Sequence, residues 1–437
     1  MTITAPTDAE IVAEVSPCQV LVISRERDLP SIEPEWNILL QASNATVFQS
    51  FEWVTSCWKH YRGASQLYCM AFRVDGQLVG LAPLSRRTIR FPIRLCTVLE
   101  FIGRPHGDYN DLLVRPGFEQ PVVRTLVAHF ASGAARAEVF DLDEVPPSSS
   151  LMQYLVPEAQ RAGIEPLVQT GVVCPFTPLP ASFEEFLTSL GPNTRYNFKR
   201  KWAKLSENHK VVERTLRRDD EDLSGGLESF MRIHTARWTG LGFPSAFDSP
   251  VHRSFISEVS HRFALRDWLR LYLLGVDGVD VAASLEFAHR GRVYMYNSNA
   301  SGPPEVMKQS PGLLVKLSAI RQGINEHMRE YDMLRGEESY KSDHLKALER
   351  FNTTIRLTLP TATGRVRFRL YLMWLFWKKV IGRTRLEYHE WRRFVITKQP
   401  GALGSLRYFG QRVKKVTGMT SDFFAAYFKS DREGSGS

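Results

Sequence analysis

The strongest constraint on the fold is a pattern that the chain uses twice. Leu67–Thr88 reads LYCMAFRVDGQLVGLAPLSRRT, and Leu269–Arg290 reads LRLYLLGVDGVDVAASLEFAHR. Each carries an apolar run, a Val-Asp-Gly turn and a second apolar run. Asp-Gly between such runs marks a two-residue β-hairpin, because both central residues must take positive φ. A third strand follows each hairpin: CTVLEFIG, with DYNDLLV behind it, in the first half, and RVYMYNSN in the second. A helical segment comes next, QPVVRTLVAHFASGAAR or SPGLLVKLSAIRQGINEHM, and then a short strand, AEVFDLDEV or EYDMLRG. The order hairpin, strand, helix, strand thus recurs about 200 residues apart. Solenoid repeats are far shorter, so two copies of one α/β domain are expected.

The prolines of PFTPLP, Pro175–Pro180, block a continuing helix and read as a linker or an edge segment. This places domains at 1–175 and 176–360. The second opens on SFEEFLTSL, where Ser182 and Glu185 have capping-box spacing. A basic helix, NTRYNFKRKWAKLSEN, and an amphipathic one, GLESFMRIHTARW, follow. Past Leu359 the character changes. Between Thr361 and Thr420 there are fourteen Lys and Arg against Glu387 and Glu390, in a chain whose net charge is +9. The body is therefore near neutral and the basic character belongs to a tail, 361–430, which argues against a nucleic-acid binder as a whole. Within the tail, Leu370–Trp377 is apolar all round and flanked by cations, which fits an interfacial helix or a buried docking helix.

At 437 residues the chain can bury large cores without staples. Its five cysteines are scattered, with no CxxC or Cys/His cluster, so neither a disulfide framework nor a metal site is expected. The opening MTITAPTDAEIVAEV lacks a basic and then apolar leader pattern, and no stretch reaches the ~20 apolar residues of a membrane span. A cytoplasmic protein is expected, peripheral on the inner face of the membrane if the tail is interfacial. The terminal GSGS reads as a linker scar or frayed end.

Chemistry-bearing residues concentrate in the second half. QSPGLL, Gln309–Leu314, sits between a strand and a helix. Proline at a first helical position and glycine beside it let a ligand approach the backbone, and a helix N-terminus suits a pyrophosphate. An ordinary helix entry has the same look. Asp332 in YDMLRG needs a partner if buried, and Arg335 is near enough in sequence to supply one. Tyr340 and Lys341 follow in EESYKSD, either solvated or within a site. Glu286 stands alone in the apolar AASLEFAH. It is either an outward-facing strand acid or a desolvated carboxylate able to act as a base. His234 and Trp238 lie one helical turn apart, as a packing pair or part of a site. There is no P-loop, dinucleotide fingerprint or GxSxG elbow.

Taken in order, RYNFKRKWAKL, IHTARW, VDGVDVAASLEF, YMYNSN, SPGLLVKLSAI and YDMLRGEESYKSD resemble the CelD/BcsL-type acetyltransferases, the cellulose-biosynthesis-associated branch of the GNAT superfamily. FQSFEWVTSCW and DYNDLL are similar to the same family, and the resemblance covers roughly residues 45–350. It implies two tandem GNAT-like (acyl-CoA N-acyltransferase) α/β domains, as in the FemABX peptidyltransferases, here with a C-terminal basic helical extension. It implies acyl-CoA as co-substrate, with its pyrophosphate at Ser310, Pro311, Gly312, Leu313 and Leu314. It also implies direct attack of an acceptor on the thioester, for which Glu286 or Asp332, with His234, would take the proton. Tyr340 joins these as a catalytic candidate, and Arg335, Lys341 and Trp238 are the candidates for holding the acceptor. The expected acceptor is a cell-envelope one, a polysaccharide precursor or a lipid amine such as a long-chain base. The competing expectations are a Fem-like transferase taking aminoacyl-tRNA, and a non-catalytic binding protein on the same frame.

Overall fold

The computed structural model describes residues 17–90, 93–104, 106–218, 222–336, 338, 340–341, 344–398 and 407–411. The first half contains β1 (Gln19–Ile23), α1 (Glu33–Ala42), α2 (Phe51–Tyr61), β2 (Gln66–Leu67), β3 (Cys69–Val74), β4 (Gln77–Ala82), β5 (Leu84–Arg90), β6 (Arg94–Phe101) and β7 (Leu113–Val114). It continues with α3 (Glu119–Ala131), β8 (Val139–Val145), α4 (Ser150–Arg161) and β9 (Leu167–Val173). The second half runs through β10 (Phe176–Pro178), α5 (Phe183–Ser189), α6 (Pro192–Asn208), β11 (Val211–Leu216), α7 (Leu223–Gly240), α8 (Pro250–Leu265), β12 (Leu269–Val276), β13 (Val279–His289) and β14 (Arg292–Ala300). Then come α9 (Pro304–Met307), α10 (Pro311–Asn325), β15 (Glu330–Asp332), β16 (Phe351–Thr358) and the long α11 (Ala362–Lys398).

Both Asp-Gly turns close hairpins. Asp75 and Gly76 have φ of 49° and 77°, Asp277 and Gly278 have φ of 51° and 85°, and the strands pair from Val74↔Gln77 and from Val276↔Val279. In each half a helix then carries the chain to a strand lying parallel to the third one: β8 beside β6, and β15 beside β14. The second half forms one sheet in the order β10-β15-β14-β13-β12-β11. The first half forms two, β1-β3-β4-β7 and β2-β5-β6-β8-β16-β9. The Pro-rich joint is an edge strand, β10 on β15, an allowed place for proline.

The chain order and the spatial order part company at β16. Sequence position puts 351–358 with the second half, yet β16 sits between β8 and β9 of the first. The halves are further fused by a common core: Trp53 of α2 is fully buried, with its ring edge-on to Phe255 of α8 and Phe287 of β13 at 5.3 and 6.1 Å.

The tail is not an independent appendage. α11 lays Phe368, Tyr371, Trp374 and Leu375 on Ile89, Leu95, Val98 and Val139 of the first half. The Tyr371 hydroxyl donates to buried Asp141 at 2.6 Å. Burial works against the Asp141 carboxylate, but Arg104, Arg356 and Tyr371 outweigh it and hold its pKa below the usual range. Docking on the protein's own core thus accounts for one face of the helix. Among the described residues, no helix is long and apolar enough to cross a membrane, and the five cysteines are free thiols.

Candidate active site

β14 and β15 run side by side for only three residue pairs, Arg292–Tyr294 against Glu330–Asp332. Two local features then separate them. On β14, the pairing with β13 passes from Glu286↔Met295 to Leu285↔Asn297, so Tyr296 is an extra residue and forms a bulge, which bends a strand. After β15, the Asp332 carboxylate accepts the Leu334 N–H at 2.9 Å, and Leu334 takes a φ of 52°, which ends the strand in a turn. Lys341 is buried and its ammonium clasps that turn, donating to the carbonyls of Met333 and Arg335 at 3.0 and 3.2 Å.

The gap between the parted strands is a cavity of about 620 Å³, within the range of small-ligand sites. Met295–Ala300 of β14 form one wall and Met333–Arg335 the other; Arg237 and Trp238 of α7, Tyr340, and Asp108 from the first half complete it. Backbone groups along a strand edge are obligatory hydrogen-bonding groups, so this wall suits an extended ligand. Ser298 adds a hydroxyl that is buried and has no partner among the described residues.

The far end of the cavity is the start of α10. Ser310 has a left-handed backbone, φ 54° and ψ 55°, and Pro311 begins the helix. First-turn N–H groups of a helix lack intrahelical partners and carry partial positive charge. A Cβ at Gly312 would meet the Ala300 Cβ at 3.2 Å, so glycine lets the helix sit close to the end of β14. A cation is already present: Lys201 of α6 donates to the Ser310 hydroxyl at 2.6 Å. One turn into α10, Lys316 is buried beside the cavity. Its ammonium donates to the Gly312 carbonyl at 3.1 Å and lies 4.6 Å from the Tyr340 ring centroid. Burial pushes the Lys316 pKa down to about 8, with the Glu286 carboxylate pulling the other way.

The structure brings together part of the residue set singled out from sequence. Ser310, Pro311, Gly312 and Leu313 line the cavity, as do Trp238, Arg335, Tyr340 and Lys341. Leu314 turns away, into a separate apolar cavity of about 380 Å³ with Phe198, Trp202 and Leu317. Glu286, His234 and Asp332 are not among the lining residues. Glu286 is fully buried behind Lys316, where it accepts from Ser284 at 2.6 Å and Tyr331 at 2.7 Å, and burial raises its pKa to about 7. His234 is a buried packing residue whose Nδ1 is 2.8 Å from the Ser245 hydroxyl and whose ring stacks on Trp238. Burial, with His252 adding to it, pushes its pKa down to about 4, so it is neutral.

Asp332 takes a different partner from the expected one. It is held by Arg350 at 3.0 Å and the Tyr109 hydroxyl at 2.7 Å, and burial raises its pKa to about 6 against their pull. Arg335 instead reaches the first half, pairing with Asp108 and, at 3.1 Å, with Glu144. It is an inter-half clamp that also lines the cavity. Lys201, Lys316, Asp108 and Ser298 escaped the sequence reading. Lys316 left one signal, a lone cation inside the apolar run GLLVKLSAI; the others left none.

The family model described as an acetyltransferase (GNAT) domain matches residues 192–342, from the start of α6 to just past Lys341. That segment is similar to a GNAT acetyltransferase domain. Among solved structures, FemX aligns over 77% of this chain and 96% of its own, with a TM-score of 0.55 at 12% identity, a likeness of fold. A tandem GNAT protein from the clavulanic acid biosynthesis pathway aligns over 77% of this chain and 98% of its own at 12% identity, with a TM-score of 0.41. L-PGS from Bacillus licheniformis aligns over 82% of this chain and 98% of its own at 11% identity, with a TM-score of 0.46. No curated protein matches the chain. The architecture is the tandem GNAT, Fem-like α/β fold with a basic helical extension.

Proposed function

We propose that the protein is an acyl-CoA-dependent N- or O-acyltransferase whose reaction takes place between β14 and β15. One observation carries the reading: the wedge where these strands part joins a free strand edge to the N-terminus of α10, with Lys201 beside it. That arrangement fits a ligand with an extended amide-bearing arm and a pyrophosphate, and Gly312 puts no side chain on the cavity wall at the helix start. An acyl-CoA supplies an acyl group already activated as a thioester, so positioning does most of the work.

In this reading two side chains of the wall move protons. Lys316 titrates near the working range of a general base, and its neutral amine takes the proton released by an attacking amine or hydroxyl. The Tyr340 hydroxyl, which burial keeps protonated, relays that proton: it gives one to the departing thiolate and regains one from protonated Lys316. The β14 amides polarise the carbonyl under attack. Glu286 acts through Lys316, since its carboxylate raises the lysine's pKa. The CelD/BcsL resemblance supports a cell-envelope acceptor, a polysaccharide precursor or a lipid amine.

Free-thiol release from acetyl-CoA, measured across a panel of amine and hydroxyl acceptors, tests the reading. Thiol production that needs both acceptor and an intact Gly312 supports it; transfer from aminoacyl-tRNA with no thiol released overturns it. That second reading has one observation in its favour. Lys199, Arg200 and Lys204 stand exposed on α6, the helix that delivers Lys201 to the donor end of the cavity, and such a face suits a polyanion.

A further inference from the structure

The core-facing side of α11 is Tyr371, Leu372 and Phe376, all buried. The opposite side should be polar if the helix were an ordinary surface helix. It is not. Val366 is 58% exposed, Leu370 37%, Met373 55%, Trp377 56% and Ile381 51%. At ~100° per residue these five positions fall within about 80° of arc, and they run for about 22 Å along the axis. Arg365 and Arg369 border this stripe on one side, Lys378 and Arg385 on the other, all exposed. The helix is therefore apolar on two opposite faces, one used by the core and one presented outward between two rows of cations.

We infer that this outward face of α11 seats the protein on the surface of an anionic bilayer. Aromatic and aliphatic side chains between rows of Lys and Arg match the headgroup boundary, where the chains enter the acyl region and the cations meet lipid phosphates. The residues that make the contact are not Phe368, Trp374 and Phe376, which belong to the helix's inner packing. They are Val366, Leu370, Met373, Trp377 and Ile381. The seat is tied to the catalytic half. Further along the helix, the His389 ring lies 5.9 Å from that of Phe243, which meets Trp238 of the cavity wall at 6.1 Å.

The test is flotation of the full-length protein with phosphatidylglycerol/phosphatidylcholine vesicles, at low and high salt and without donor or acceptor, so that it stands apart from the activity assay. Removing the tail would strip Tyr371 from the core, so point variants are used. Wild type should float with anionic vesicles at low salt, weaken at high salt, and bind pure phosphatidylcholine poorly. The double variant M373E/W377E, with an unchanged melting curve because both side chains are exposed, should lose binding about tenfold or more. Equal flotation of wild type and variant overturns the proposal, as does no flotation of wild type on anionic vesicles. So does a dimer of the wild type that the double variant abolishes, since the face would then belong to a second copy of the chain.

Discussion

Replacing Glu286 with glutamine should flatten the pH dependence of stability between pH 5 and 8. The carboxyl is fully buried on β13; one oxygen accepts from Ser284 and Tyr331, and the other has no partner among the described residues. Burial moves its pKa from 4.5 to about 7. Below about pH 4.5 the acid is neutral in both folded and unfolded chains. Between there and about pH 7 only the unfolded chain is ionised, so the fold loses stability as pH rises through that window. The displacement corresponds to about 3 kcal/mol. Glutamine keeps the acceptor and removes the ionisation. Other buried acids with raised pKa values, Asp111, Asp143 and Asp332, titrate alike in both proteins and cancel. The quantity to compare is therefore each protein's own change in Tm from pH 5 to pH 8. The wild-type drop should exceed that of E286Q by on the order of 5 °C. Parallel curves would refute the burial argument.

Three further outcomes follow from the same geometry. Because only a neutral amine accepts a proton, kcat/KM should fall as pH drops through about 8; K316M should remove that limb and lower the rate by roughly 10²- to 10⁴-fold, and K316R, cationic throughout, should not restore it. R335M leaves buried Asp108 without its partner across the two halves, and chemical denaturation should register a loss of about 3 kcal/mol. Y371F removes the hydroxyl that α11 gives to the buried Asp141 carboxylate, and should cost about 2 kcal/mol in the same assay while leaving activity unchanged.

What could be read from the chain was local. The hairpins were legible because Asp75-Gly76 and Asp277-Gly278 dictate their own backbone geometry, and the start of α10 because Pro311 and Gly312 announce it. Partners distant in sequence were not. Arg335 is three residues from Asp332 yet binds Asp108, because the Leu334 turn swings it toward the first half. Lys201 is brought to Ser310 only when α6 packs near α10. β16 inserts between β8 and β9 although the whole second half intervenes in the chain. The tail shows the limit most clearly. Its centre reads as apolar all round, and only the packing of Tyr371 divides that ring into an inner face and an outer one.

The central claim is that the β14–β15 wedge, ending at α10, is the donor site. Calorimetric titration of CoA into wild type, K201A and G312L tests it most directly. The account predicts saturable binding at a single site in wild type, weakening of about tenfold in K201A as a charge-assisted contact is lost, and no measurable binding in G312L, whose side chain would press on Ala300 and fill the approach to the helix end. Unchanged affinity in both variants, or a correctly folded wild type that does not bind CoA at all, would contradict it.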